Sequence, residues 1–334
     1  MKVALSALAI PLLWVGWTAI EPPAPENDPI EIVEWAVPWE QTRPRDPYVS
    51  PAQEVWFVGQ RGDYVGALDP RSGEFWRHEL DPGTGPHNLI VDEDGTIWYA
   101  GNRAAHVGKM DPKTGAITKY PMPNPAARDP HTLVFDRTGE WIWFTVQGGN
   151  FVGRLEKATG SVDLIEVPTP RARPYGIVVD SKNRPWLNLL GTNKLATVDP
   201  ATLELREIEI PREGARTRRI GVTTDDKVWY VDYAEGYLGR FDPATATFEE
   251  WRAPSGEGSR PYAMAVDDKD RLWFVETGVQ PNQFVGFDPE NQDFFSITPV
   301  KSGGGTVRHM VFHEPTRSIW FGTDANTIGR AMIP

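Results

Sequence analysis

The sequence of 334 residues contains no cysteine, and this absence excludes several kinds of chemistry. A chain without thiols has no disulfides, no cysteine nucleophile, no attachment point for a c-type haem and no lipid-modified cysteine. A G-x-S-x-G element is also missing, so nothing supports serine hydrolase chemistry. The net charge of -12 argues against general nucleic-acid binding. Candidate functional side chains are therefore sought among histidine, tyrosine, arginine and the carboxylates.

The N-terminal segment has the composition of an export signal. Lys2 is followed by a mostly apolar run from Val3 to Ile20, which predicts a signal peptide or an uncleaved membrane anchor in residues 1–20. Residues 21–28 contain three prolines and are predicted to be a linker, because proline does not extend a helix. We therefore expect an exported protein, periplasmic or secreted, that meets a membrane only through this segment if it is not cleaved.

Seven tryptophans mark a repeat that covers the rest of the chain. Successive members are 42 to 47 residues apart, by subtraction of their positions, and the runs around them alternate between apolar and polar residues. A period in the forties with several short strands per unit is typical of propeller blades, whereas helical repeats of this length would show helical periodicity. The tryptophans are Trp56, Trp98, Trp143, Trp186, Trp229, Trp273 and Trp320.

Each unit contains four predicted strands. The first follows Pro-His or Pro-Tyr, the second carries the tryptophan, the third contains Val-Gly or a relative of it, and the fourth is polar. The last unit ends at Pro334 after its third strand, and Ile30 to Pro38 has the pattern of the missing fourth strand. Residues 29–334 are therefore predicted to form an all-β, seven-bladed propeller, a monomer whose N-terminal strand completes the last blade and closes the ring.

The first strand of each blade is expected to line the central channel, so the residue after its proline is predicted to face the axis. All seven such residues are aromatic, imidazole or guanidinium groups. Aromatic walls with a few convergent polar groups are typical of a ligand pocket; the alternative is that these side chains fill the channel and bond to one another. The seven residues are Tyr48, His87, His131, Tyr175, Arg219, Tyr262 and His309.

The connections from each outer strand to the next inner strand are rich in arginine. Convergent guanidinium groups attract anions and bind them bidentately, so the channel mouth is predicted to bind a carboxylate, a phosphate or the acidic surface of a protein partner. The alternative is ordinary exposed arginines whose charge is offset by Asp46, Asp129 and Glu257. The arginines are Arg43, Arg45, Arg128, Arg171, Arg173, Arg216, Arg218, Arg219, Arg260 and Arg308.

The repeat unit, with proline before histidine or tyrosine, an Ile/Leu-Trp-Phe/Tyr strand and a Val-Gly strand, resembles the blade of the virginiamycin B lyase (streptogramin lyase) family. The resemblance covers about Ile30 to Pro334. It implies a seven-bladed propeller that opens cyclic depsipeptide antibiotics by metal-assisted elimination. In that reaction a histidine removes a proton next to an ester carbonyl, a magnesium ion polarises the oxygen, and a carbon–oxygen bond breaks without addition of water.

Residue by residue, the resemblance implies that His309 is the base, that Tyr48 is the first-blade tyrosine, and that Asp324 takes the place of a metal-binding glutamate. Two positions depart from the family pattern. The sixth-blade histidine is replaced by Tyr262, and the glutamate two residues before the base is replaced by Val307. Tyr48 and Tyr262 would act as proton donors or orienting groups.

The remaining candidate site residues follow from their positions in the repeat. Glu276 or Asp232 could replace the missing metal-binding carboxylate; otherwise each is a hydrogen-bonded carboxylate at a strand end. Side chains of the ring and of the arginine-rich connections would contact the substrate. These predicted substrate-binding residues are His87, His131, Tyr175, Arg219, Arg260 and Arg308.

Three functions remain open from the sequence. The first is a lyase-like enzyme with a possible Mg²⁺, acting on an ester or lactone. The second is a non-catalytic exported propeller that binds an anionic small molecule or a protein partner at its arginine-rimmed mouth. The third is a relative of the sugar-lactone hydrolases, which bind calcium through clustered Glu, Asn and Asp, although the inner strands here begin with His, Tyr and Arg.

Overall fold

The structure is a computed structural model that describes residues 28–334. These residues form 28 strands in seven four-stranded sheets, together with two short 3-10 helices at Gly256–Ser259 and Glu314–Thr316. No helix among them is long and apolar enough to span a bilayer. The predicted all-β, seven-bladed propeller is confirmed. The predicted leader in residues 1–20 and all but the last residue of the predicted linker lie outside the described residues.

Six blades are built from four consecutive strands each. Strand β1 (Ile32–Ala36) precedes them. Blade 1 contains β2 (Pro44–Val49), β3 (Val55–Gly59), β4 (Tyr64–Leu68) and β5 (Phe75–Glu79). Blade 2 contains β6 (Pro86–Val91), β7 (Ile97–Gly101), β8 (His106–Met110) and β9 (Ile117–Pro121). Blade 3 contains β10 (Pro130–Phe135), β11 (Trp141–Val146), β12 (Phe151–Glu156) and β13 (Val162–Glu166).

The next three blades repeat this order. Blade 4 contains β14 (Pro174–Val179), β15 (Pro185–Leu189), β16 (Lys194–Val198) and β17 (Leu205–Glu209). Blade 5 contains β18 (Thr217–Val222), β19 (Val228–Asp232), β20 (Tyr237–Asp242) and β21 (Thr247–Arg252). Blade 6 contains β22 (Pro261–Val266), β23 (Leu272–Glu276), β24 (Gln283–Asp288) and β25 (Asp293–Pro299).

Blade 7 joins the two ends of the described chain. Its inner three strands are β26 (Val307–His313), β27 (Ser318–Thr323) and β28 (Thr327–Met332), and its outer strand is β1. Strand β1 pairs antiparallel with β28 from Ile32 opposite Ala331 to Ala36 opposite Thr327. The predicted closure by the N-terminal strand is therefore confirmed, and it covers the edge that β28 would otherwise expose.

The tryptophans hold neighbouring blades together. Each lies on the second strand of its blade and is at most 3% exposed. Trp273 of blade 6, for example, packs with Val307, Ile319 and Phe321 of blade 7, and its indole N–H donates to Asp267 Oδ2 at 2.9 Å. The apolar cores thus lie between adjacent sheets, which is why a long chain forms one ring without a single large core.

Every inner strand contains a β-bulge that determines which side chains reach the channel. In blade 3, Pro130 pairs with Val146 and Leu133 pairs with Phe144, so three residue steps on β10 face two on β11. The other six inner strands show the same one-residue shift. Because a bulge leaves an extra residue unpaired and bends the strand, each blade presents two successive side chains toward the axis.

Candidate functional site

The first of these two positions forms a ring that we call the mouth layer. This position is the second residue of each inner strand. It is fixed because the residue before it pairs with the last residue of the tryptophan strand, as Pro86 does with Gly101 and Val307 does with Thr323. The members are Arg45, His87, His131, Tyr175, Arg218, Tyr262 and Arg308.

All seven predicted residues lie on the channel side of the inner strands, but only four of them belong to the mouth layer; Tyr48, Arg219 and His309 line the second cavity instead. In blade 1 the proline that starts the strand is Pro44, not Pro47, so Arg45 occupies the ring and Tyr48 lies three residues further along, opposite Trp56. In blades 5 and 7 no proline marks the start. There Arg219 and His309 follow the ring residues by one position, because Arg218 and Arg308 are the true members.

The mouth layer forms the inner wall of a cavity of about 880 Å³. No carboxylate among residues 28–334 lines this cavity, so its charged lining is cationic. The predicted arginine patch is therefore confirmed, with Arg128 and Arg219 as the two predicted members that do not line it. The lining arginines are Arg43, Arg45, Arg171, Arg173, Arg216, Arg218, Arg260 and Arg308.

A second set of lining residues was not found from the sequence. Gln60, Asn102, Gln147 and Tyr233 each come four residues after the tryptophan of their blade and directly follow its second strand. Asp324 occupies the same position in blade 7. The position was visible in the sequence as a recurring place in the repeat, polar or aromatic in every blade except blade 4, where it is Leu190, but only the geometry of the mouth shows that it faces the cavity.

Two tyrosines of the mouth layer meet across the channel. The hydroxyl groups of Tyr175 and Tyr262 are hydrogen-bonded, and both rings are almost fully buried. Burial alone would raise the pKa of Tyr262, but the guanidinium groups of Arg218, Arg45, Arg219 and Arg308 outweigh it and lower that pKa to about 8. Burial and the neighbouring Tyr262 raise the pKa of Tyr175. Tyr262 is therefore the more acidic member of the pair.

Two histidines continue the aromatic wall. The rings of His87 and His131 lie 3.7 Å apart between centroids, and His131 lies 4.2 Å from the ring of Tyr175. His131 Nδ1 bonds to Thr132 Oγ1 at 2.8 Å, and His87 Nδ1 bonds to the His131 carbonyl at 3.2 Å. Burial, followed by nearby arginines, lowers the pKa of both imidazoles, so they are neutral near pH 7.

The second channel-facing position forms the floor of the mouth. Asp46 accepts hydrogen bonds from Arg45 Nε at 2.9 Å and from Asn88 Nδ2 at 3.0 Å, and Arg219 Nη2 lies 3.5 Å from it. Arg219 Nη1 also donates to Thr132 Oγ1 at 3.1 Å. Burial would raise the pKa of Asp46, but the adjacent arginines and His309 lower it, so the carboxylate stays ionised. This network links blades 1, 2, 3 and 5.

Tyr48 and His309 line a different cavity, of about 470 Å³, together with Arg219 and mostly apolar side chains. This cavity lies further along the inner strands, beyond the floor. The structure thus brings these two predicted catalytic residues together but separates them from Tyr262. Burial and then Arg219 lower the pKa of His309 to about 3, although Asp46 opposes the shift. A group with so low a pKa is a poor proton acceptor near neutral pH.

The residues present do not fit a magnesium site. Asp324 Oδ2 is bound by Arg308 Nη2 at 2.5 Å, and its Oδ1 lies 3.5 Å from Arg43 Nε. No group of three or more histidine, aspartate or glutamate residues in the described part of the chain is arranged to hold a metal. Magnesium requires several oxygen ligands in near-octahedral geometry, whereas this carboxylate already neutralises two arginines.

Glu276 and Asp232, the two carboxylates predicted as possible replacement metal ligands, already have hydrogen-bonding partners. Glu276 accepts a hydrogen bond from the Ser255 backbone N–H at 2.9 Å. Asp232 is paired with Arg212 Nη1 at 2.6 Å and accepts from the Arg216 backbone N–H at 2.8 Å. Both are fully buried at strand ends. The interpretation of these residues as satisfied strand-end carboxylates is confirmed.

Comparison with known proteins gives one family and one fold. Residues 27–198, just over half of the chain, match the model of the virginiamycin B lyase family. A streptogramin B lyase structure superposes with a TM-score of 0.81 at 24% identity, covering 91% of this chain and 98% of that one.

Two further structures come from Staphylococcus aureus. A selenomethionine-substituted virginiamycin B lyase has a TM-score of 0.82 at 23% identity, covering 91% of this chain and all of that one. A catalytically inactive histidine-to-alanine variant with quinupristin has a TM-score of 0.82 at 24% identity, with the same coverage. No curated protein sequence matches this chain significantly.

Proposed function

Because this chain belongs to the virginiamycin B lyase family, its channel mouth is the natural place for a ligand, and we propose that the mouth binds a small molecule with two or more carboxylate or phosphate groups. One observation carries the proposal: eight arginines and no carboxylate line the mouth cavity, counted over the described residues. A protein with a net charge of -12 thus concentrates positive charge at one concave surface.

Most of these arginines have no acidic partner. Within residues 28–334, Asp324 pairs with Arg43 and Arg308, and Asp46 pairs with Arg45. The other five form no ion pair with any described carboxylate, and Arg218 Nε is a buried donor without a hydrogen-bond acceptor. A buried donor and converging guanidinium groups favour an anion that accepts several charge-assisted hydrogen bonds. The five are Arg171, Arg173, Arg216, Arg218 and Arg260.

The shape of the site favours a small molecule over a protein surface. A cavity of about 880 Å³ is concave and lies within the range of small-molecule sites, whereas protein partners usually bind over broad, flatter areas. The histidine and tyrosine rings of the wall offer apolar contact, and the arginines around them can bind charged groups.

Calorimetric titration with pyrophosphate and citrate tests the proposal. We expect saturable binding that weakens as salt is added, because exposed charge pairs are screened. Arg218→Gln and Arg260→Gln should each weaken binding, whereas Arg206→Gln should not, since Arg206 is exposed on the outer strand of blade 4. Absence of binding by both anions, or equal effects of all three variants, would refute the proposal.

Carbon–oxygen elimination on a cyclic ester or depsipeptide is the second candidate, and the family match is the observation that favours it. His309 would act as base and Tyr48 as its neighbour, although the occupied carboxylate of Asp324 leaves magnesium without a site. Ring opening of virginiamycin B can be followed by chromatography. Turnover that requires both Mg²⁺ and His309 would favour this candidate over the first.

A further inference from the structure

The Tyr175–Tyr262 pair has features that anion binding alone does not require. Tyr262 comes from β22 of blade 6 and Tyr175 from β14 of blade 4, and their hydroxyl groups are in hydrogen-bonding contact. Both rings line the mouth cavity. Two blades therefore position two exchangeable protons at one point of the wall where the bound ligand would lie.

Arginines surround this pair. The guanidinium carbon of Arg218 lies 4.5 Å from the centroid of the Tyr262 ring, that of Arg308 lies 5.8 Å from it, and that of Arg219 lies 5.4 Å from the Tyr175 ring. Opposite charges at such distances favour the phenolate form of a tyrosine. The same guanidinium groups could hold a ligand carboxylate beside the phenolate oxygen.

From this juxtaposition, we propose that the mouth catalyses a metal-free elimination in which Tyr262 Oη removes the proton next to a bound carboxylate and a carbon–oxygen bond at the following carbon breaks. The inference rests on the proposed anion site. The ligand class is a uronic acid oligosaccharide, because each of its units carries a carboxylate and a glycosidic oxygen on the carbon beta to it. Its repeated carboxylates also match several separate arginines around one cavity.

The reaction balances without any co-reactant. The C–H electron pair becomes the new C=C bond, the C–O electron pair leaves with the oxygen, and the proton passes to Tyr262. The departing alkoxide takes a proton from the Tyr175–Tyr262 pair, which returns to its starting state. The products are an α,β-unsaturated carboxylate and an alcohol.

The arginines lower the electrostatic cost of removing a proton next to an ionised carboxylate. Removing a proton next to an ionised carboxylate would place two negative charges on one group, which is unfavourable in a site of low dielectric constant. Guanidinium groups bound to the carboxylate neutralise the first charge and stabilise the second as it develops. Tyr262 is suited to the base role because a pKa of about 8 leaves about one tenth of it ionised at pH 7.

No other base in the mouth fits as well. Burial lowers the pKa of His87 and His131, which makes both imidazoles weak proton acceptors, and Nδ1 of each is engaged in a hydrogen bond. His309 lines the other cavity. The titratable and charged groups that face Tyr262 from the surrounding strands are Arg45 of β2, Tyr175 of β14, Arg218 and Arg219 of β18, Tyr233 after β19, and Arg308 of β26.

Incubation with oligogalacturonate and oligomannuronate in the presence of EDTA tests the inference. We expect growth of the ultraviolet absorbance of an unsaturated carboxylate, with a rate that rises with pH up to about 8, where Tyr262 becomes ionised. Tyr262→Phe should lower the rate about a hundredfold or more and keep pyrophosphate binding, because the phenyl ring preserves the packing. Arg206→Gln, on the exposed outer strand of blade 4, should retain turnover.

The outcomes separate the two proposals. If wild-type protein binds pyrophosphate but forms no unsaturated product from either oligosaccharide, the elimination is refuted and the anion site stands. If neither binding nor product is found, the proposed function fails as well. Product formation that Tyr262→Phe leaves unchanged, or that EDTA abolishes, also refutes the inference. Ultraviolet titration provides a check independent of turnover, since a tyrosine with a midpoint of about 8 should be absent from Tyr262→Phe.

Discussion

The guanidinium carbon of Arg218 lies 4.5 Å from the centre of the Tyr262 ring, in a cavity wall to which blades 5 and 6 contribute these side chains. Both residues occupy the same position of the repeat, one residue after the start of an inner strand. A full blade separates the two residues in the sequence. The propeller places blades 5 and 6 side by side, so their side chains are in contact. Charge on Arg218 and ionisation of Tyr262 are linked, and this link can be measured.

Arg218→Gln should raise the pKa of Tyr262 above its value of about 8. Removing a positive neighbour disfavours the phenolate, and Arg218 is the strongest of the arginines that lower this pKa, acting against burial. Ultraviolet difference titration of the variant, with Tyr262→Phe to identify the signal, measures the shift. Arg206→Gln is the matched control, because it removes the same charge from an exposed outer strand. Equal midpoints in wild type and Arg218→Gln would contradict the linkage.

The ionisation of Tyr262 should make the free energy of unfolding depend on pH in the alkaline range. Tyr262 has a lower pKa folded than unfolded, so the unfolded chain binds its proton more tightly. Its contribution is absent below about pH 8, grows as pH rises from about 8 to about 10, and is fully present above that range. Urea unfolding across this range should show a smaller rise in unfolding free energy for Tyr262→Phe than for wild type. Identical slopes would show that Tyr262 does not ionise early.

Asp46→Asn should destabilise the protein by about 3 to 5 kcal/mol. The change leaves Arg45 and Arg219 buried near a neutral amide, and removing one partner of a buried ion pair exposes the cost of the remaining charge. Urea unfolding at neutral pH gives the value. Glu79→Gln is the control, because its ion pair with Arg77 is largely exposed and worth little. A loss no larger than that of the control would mean that the floor network is not stabilising.

Acidification should reduce the contribution of Asp46 to the free energy of unfolding. Its pKa is lower in the folded state than in the unfolded state, so the stability it supplies is present above the usual aspartate range and is lost as pH falls below it. The difference in unfolding free energy between wild type and Asp46→Asn should therefore shrink at strongly acidic pH. A difference that stays constant with pH would contradict this assignment.

Asp324→Asn should tighten pyrophosphate binding. The carboxylate pairs with Arg43 and Arg308 at the rim, so its neutralisation frees two guanidinium groups for the ligand. Calorimetric titration measures the change, which we expect to be about threefold to tenfold from removal of one nearby competing charge. Glu290→Gln, at an exposed outer turn, controls for net charge. If Asp324 were instead a metal ligand, Mg²⁺ would raise the melting temperature of wild type but not of Asp324→Asn.

Trp273→Ala should lower the unfolding free energy by about 3 to 5 kcal/mol by opening a cavity between blades 6 and 7. The indole is fully buried against Val307, Ile319 and Phe321, and its N–H bond to Asp267 is lost as well. Trp76→Ala, at a partly exposed outer strand, should cost less. Equal unfolding midpoints for wild type and Trp273→Ala would contradict the placement of Trp273 in the core.

Several parts of the site were predictable because they depend on local patterns. Proline before His87, His131, Tyr175 and Tyr262 marks the first residue of an inner strand, and these four residues were placed correctly in the mouth layer. Arginines in the connections from outer to inner strands were also placed correctly, since these connections run past the channel mouth. The exceptions were Arg128, which does not line the cavity, and Arg219, whose neighbour Arg218 belongs to the mouth layer.

The predicted ring residues that lie outside the mouth layer were misplaced by register. Pro47 is a second proline inside β2, so counting from it moved the first-blade position from Arg45 to Tyr48. In blade 7 no proline begins the inner strand, so no local mark distinguished Arg308 from His309 as the ring residue. The occupation of Asp324 by two arginines likewise depends on side chains from blades 1 and 7, which no local pattern connects.

The sequence by itself determined the number of blades and the closure of the ring, because tryptophan spacing and strand alternation are local and repeat seven times. The tertiary structure alone decided which chemistry meets at the mouth. A bulge in each inner strand adds one residue to the channel side, and a shift of one residue exchanges the side chains that face each cavity. For that physical reason Tyr262 lies among arginines, whereas His309 lies beneath them.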